Sequence, residues 1–115
     1  MEALTFKKQA AQGDLLIRRV DKIPDDAKEV LGKNRLVLAH SETGHHHAIK
    51  EHPTVCHFRQ DNQPLISFLE VSGDAVILEH QRPWDTHAPI LVEKGTYEIR
   101  RQREYVPEGW RRVED

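Results

Sequence analysis

Leu65-Ile66-Ser67-Phe68-Leu69-Glu70-Val71, Ser72-Gly73-Asp74 and Ala75-Val76-Ile77-Leu78-Glu79-His80 follow one another without a break, and their reading decides the fold class. The two outer runs are rich in β-branched and aromatic side chains and too short for a core helix, and a Gly-Asp turn signal separates them. They read as two strands joined tightly in a hairpin-like arrangement. Successive strand side chains alternate, so Val76, Leu78 and His80 share one face and Ala75, Ile77 and Glu79 the other. Both faces are largely apolar. That suits a closed two-layer core or the sheet of a homodimer.

The same kind of segment recurs on either side. Residues 14–20, 35–40, 45–49, 54–59, 89–92 and 96–106 read as strands, separated by turn signals such as Asp61-Asn62-Gln63-Pro64 and Glu93-Lys94-Gly95. Residues 21–33 hold Ile23-Pro24-Asp25-Asp26 and Gly32-Lys33-Asn34, with room for one helical turn at most. No stretch carries a helical apolar period. The expectation is a single all-β domain over residues 1–115, a small antiparallel barrel or sandwich, with residues 1–12 as a loose N-terminal segment.

Bulk composition narrows the classes. With 115 residues, 37% apolar and 31% charged, the chain has the size and make-up of one globular domain. A net charge of −2 offers no general attraction to nucleic acid or to an anionic membrane. Cys56 is the single cysteine, so no intrachain disulfide can form. The N-terminus lacks the apolar stretch of a signal peptide and no run reaches membrane-spanning length, so a cytoplasmic protein is expected.

Histidine supplies the clue to chemistry. Of eight histidines, His40, His45, His46, His47, His52 and His57 lie close together in sequence, and His80 and His87 follow. Imidazole is the commonest protein ligand for transition metals. On a strand His45 and His47 point to one side and His46 to the other, so the first two can grip one ion. Further ligands must come from another strand, and His87 and then His80 are the candidates. One divalent transition metal (zinc, iron, manganese or nickel) is expected. Three protein ligands and a water would leave the open position a catalytic ion needs.

His45-x-His47-x-x-x-Glu51, preceded by Gly44, resembles the first half of the cupin metal motif. That resemblance implies a small jelly-roll barrel. It also implies His45, His47 and Glu51 as ligands, with His80 or His87 standing for the family's later histidine. In a metal-assisted hydrolysis Glu51 or Glu79 would be the base.

A second group lies near the C-terminus. Arg100, Arg101, Arg103, Arg111 and Arg112 crowd together, and Tyr97, Ile99, Arg101, Arg103 and Tyr105 share one strand face. Such a strand is either an exposed edge guarded by charge or part of a polar pocket. In the pocket reading Arg101, Arg103 and Tyr105 bind a small anionic substrate, the arginines bidentately. The rival reading is a non-catalytic module binding single-stranded nucleic acid or a protein, with Tyr105 and Trp110 stacking bases. Metal binding ranks first and nucleic acid second. Cys56 reads as a small buried hydrophobe rather than a nucleophile, because His57 points the other way.

Overall fold

The computed structural model describes residues 3–33, 35–40, 46–50, 52–81, 88–101, 103–106 and 109–112. The strands are β1 (Gln9–Gln12), β2 (Leu15–Arg19), β3 (Lys28–Glu29), β4 (Val37–His40), β5 (His46–Ile49) and β6 (Val55–Arg59). They continue with β7 (Ile66–Val71), β8 (Val76–Gln81), β9 (Ile90–Val92), β10 (Gly95–Arg101), β11 (Arg103–Val106) and β12 (Gly109–Arg112). A six-stranded sheet runs β1-β2-β10-β7-β6-β3, a four-stranded sheet runs β4-β5-β8-β9, and β11-β12 form a hairpin. The protein is all-β, and the two antiparallel sheets make a sandwich rather than a closed barrel. No helix among the described residues is long and apolar enough to cross a membrane.

Alternation builds the core. Leu15, Ile17, Leu69, Val71, Tyr97 and Ile99 face inward from the large sheet, and Leu38, Ile49, Val76, Leu78, Ile90 and Val92 meet them from the small one. Outward positions on the same strands carry Arg18, Glu70 and Arg100, all exposed, and Arg18 bridges to Glu98 across the β2–β10 pair at 3.2 Å.

Three expectations give way. The turn at Ser72-Gly73-Asp74 is not a hairpin: β7 pairs with β6 and β10, whereas β8 pairs with β5 and β9. The chain crosses there from one layer to the other, because both strands have an apolar face that must oppose a second sheet. Ser72 anchors the crossing, its N–H donating to Thr54 O at 2.9 Å, and a Cβ on Gly73 would lie 2.8 Å from the Thr54 side chain. Nor is β10 an edge. It lies between β2 and β7, its charged residues tolerated because they occupy the outer face or, for Arg101, the sandwich end. Finally, the N-terminal segment is docked. β1 pairs with β2 through a two-residue loop, Phe6 packs edge-on against Tyr97, and Leu4 bridges to Ile90 of the other sheet. Gly13 has φ 59° and Asp14 has negative φ, the pattern of a type II′ turn whose twist matches the flanking strands.

Candidate functional site

One end of the sandwich is polar although it is buried. The β1–β2 and β2–β10 registers set Gln12, Leu15 and Arg101 side by side on the inner face of the large sheet, and the tight turn places Asp14 next to them. From the small sheet, the register sets His47 opposite both Ala39 and His80. Gln12, Asp14, His47 and His80 are all buried, each at most 3% exposed.

The hydrogen bonds fix the atoms. Gln12 Nε2 donates to Leu78 O and Ala88 O, both at 3.0 Å, which uses both amide hydrogens and turns Oε1 toward His47. His47 Nδ1, 2.9 Å from that oxygen, must therefore carry a proton and donate it. The ring's Nε2 lies 3.1 Å from Asp14 Oδ1. Asp14 Oδ2 accepts from an Arg101 guanidinium nitrogen at 3.3 Å. His80 stacks flat on His47, ring centroids 4.4 Å apart with 8° between planes. A buried carboxylate is costly without partners, and Asp14 has a cation on one oxygen and an imidazole on the other. The Nε2–Oδ1 contact is satisfied either by a second ring proton or by a cation that both atoms share.

Of the residues singled out in the sequence, the structure brings together His47, His80 and Arg101. Arg101 is spent inward on Asp14 rather than held out toward solvent, its side chain 14% exposed. Glu79 is exposed on the outer face of β8, opposite Ala48 and away from His80. His45, Glu51 and His87 lie outside the described residues. Arg103 and Tyr105 are placed by backbone alone, opposite Arg112 and Trp110 in the β11–β12 register. Among the described residues no group of three or more His, Cys, Asp or Glu is arranged to hold a metal ion. The residues that sequence reasoning missed are Gln12 and Asp14. Their signal was Gly13-Asp14 between Gln12 and Leu15, a hairpin dipeptide that puts the flanking residues in register.

A third buried histidine, on β6, belongs to the large sheet. His57 is 1% exposed, its Nδ1–H donates to Arg35 O at 2.9 Å, and Nε2 has no hydrogen-bond partner among the described residues. Burial, with a smaller push from the Arg59 charge, lowers its pKa from 6.5 to about 4, against the Arg35 carbonyl bond. Neighbouring Cys56 is half-buried, and burial followed by the Glu29 and Glu70 charges raises its thiol above the usual range. It is a poor nucleophile by that measure.

Neither curated proteins nor solved structures give a match to the chain. A family match does cover residues 11–102, a span that includes Gln12, Asp14, His47, His80 and Arg101. The chain thus belongs to the family described as Domain of unknown function (DUF8820).

Proposed function

We propose that this domain binds one divalent transition metal (zinc, iron, manganese or nickel) at the sandwich end where His47 meets His80. The observation that carries the proposal is the Gln12 amide, which fixes a proton on His47 Nδ1 and thereby dedicates Nε2 to whatever lies on its other side. Metal-binding histidines are held in this manner, with the non-ligating nitrogen donating to a fixed acceptor. The pairing of His47 with His80 supports the cupin-like expectation of a histidine from a later strand. His45, which shares strand parity with His47, and His87 complete the candidate ligand set from sequence.

The proposal places the domain in the cytoplasm and stops at metal binding. Glu79, the described candidate base, faces away from the histidines, and Arg101 is engaged by Asp14, which leaves the small-anion chemistry without a described clamp. Elemental analysis of untagged protein, purified without chelator or nickel resin, tests the reading. About one metal per chain is expected, lost in His47→Ala. Protein that holds none and takes up none on soaking sinks it.

One observation favours the second reading. The β11–β12 register sets Tyr105 opposite Trp110 and Arg103 opposite Arg112, the residue types of a single-stranded nucleic-acid platform. Quenching of tryptophan fluorescence by oligothymidylate, weakened by salt and lost in Tyr105→Ala, is its expected sign.

A further inference from the structure

We propose that Asp14 is a metal ligand beside His47, with Gln12 and Arg101 as the residues that aim the two. This rests on the metal-binding reading above and adds to it a ligand that lies far from the histidine-rich segment in sequence.

Distance is the first argument. Two ligand atoms bound to a tetrahedral ion with bonds of about 2.1 Å stand about 3.4 Å apart. Asp14 Oδ1 and His47 Nε2 are 3.1 Å apart in a direct hydrogen-bond contact, so an ion needs them to part by a few tenths of an ångström and to turn from each other toward it. Aim is the second argument. A ligating imidazole requires its other nitrogen held by an acceptor, and a ligating carboxylate is steadied by a bond to its second oxygen. Both requirements are met at once: Gln12 takes His47 Nδ1–H and Arg101 takes Asp14 Oδ2. The third argument is rigidity. The type II′ turn ties Asp14 to the β1–β2 hairpin, and Gln12 is in turn pinned by Leu78 O and Ala88 O of the opposite side. The two donor atoms are held side by side before any ion arrives.

A structural ion pair would use the same contact without a metal, and the test separates the two. Cobalt(II) is titrated into untagged, chelator-treated wild type, Asp14→Asn, Asp14→Cys and, as a control on the outer face, Glu79→Gln. Circular dichroism confirms the fold of each. Wild type and Glu79→Gln are expected to give the same visible cobalt bands and affinity. Asp14→Asn is expected to bind at least about tenfold more weakly, with altered bands. In Asp14→Cys a near-ultraviolet sulfur-to-cobalt band is expected that wild type, which keeps Cys56, does not show. Asp14→Asn indistinguishable from wild type, or Asp14→Cys without the new band, overturns the Asp14 assignment and leaves the metal reading standing. Wild type that gives no cobalt spectrum overturns both.

Discussion

His47 and His57 are equally hidden, at 0% and 1% exposure, and both sit on inner faces of the same sandwich, yet they are different chemical objects. His47 meets an amide oxygen on one nitrogen and a carboxylate on the other. His57 meets a single carbonyl, its Nε2 has no hydrogen-bond partner among the described residues, and burial lowers its pKa to about 4. Burial by itself therefore does not mark function. What distinguishes the His47 end is the concentration of partners: an amide with all its hydrogens committed, a carboxylate between an imidazole and a guanidinium, and a second imidazole stacked on the first. A buried charged network of this kind adds little net stability over an apolar core of the same shape. Its presence at the end of the sandwich, while apolar residues fill the middle, argues for a task there.

Asp14→Ala should produce the largest break in this contrast. It leaves Arg101 facing inward without its carboxylate, and loss of one partner from a buried pair costs about 3–5 kcal/mol. Urea unfolding of the metal-free protein measures it, and a loss below about 1 kcal/mol would mean that the polar end is not a coupled network. Next comes acid. The unfolded chain protonates His57 near 6.5 while the folded one holds out to about 4, so the unfolded state binds more protons in between. Stability from this group is complete above pH 6.5 and falls as pH drops toward 4, by up to about 3 kcal/mol, with no further loss below that. His57→Gln, which keeps a donor for Arg35 O and does not titrate, should remove this slope. A wild-type-minus-variant difference that stays flat between pH 7 and pH 4 would refute the neutral-burial account.

The contrast was only half legible in sequence. The strands were readable because alternation and turn residues are local signals, and most expected strands match observed ones to within a residue or two. Parity alone left either His80 or Glu79 facing inward and ranked His87 ahead of His80; the β5–β8 register is what sets His80 beside His47. Strand order was not readable, since it depends on which faces meet across the two layers. That is why β7 and β8 looked like a hairpin, and why a charged strand looked like an edge although Arg18, Glu98 and Arg100 simply cover its outer side. Gln12 and Asp14 escaped notice because polar residues beside a glycine turn look like solvent-facing loop. Only the register of β1 against β2 sets Gln12 inward, and the tight turn between them brings Asp14 beside it.

Gln12→Met tests the aiming residue with a smaller effect. It keeps the volume but leaves His47 Nδ1–H without its acceptor and takes the Gln12 donor from Leu78 O and Ala88 O. The cost expected is about 2 kcal/mol, less than for Asp14→Ala because no charge is stranded. Nitrogen NMR of the His47 ring should also lose its fixed proton on Nδ1, whereas the His57 ring should stay as it is. Equal changes at the two rings would erase the distinction between them.

The smallest effect belongs to the residue next to His57. Cys56 faces the opposite side of β6, level with Glu70 in β7, and its thiol is raised first by burial and then by Glu29 and Glu70. Alkylation proceeds through the thiolate, so Cys56 should react with iodoacetamide at pH 8 more slowly than a free thiol. Glu70→Gln should speed it a few-fold, since one of the two repelling charges is gone, and should leave the acid sensitivity assigned to His57 unaltered because Glu70 lies on the other face of the sheet. If Glu70→Gln shifted the His57 acid transition as well, the sheet would not insulate its two faces. The lowered pKa of His57 would then have to be traced to charge on the surface as well as to burial.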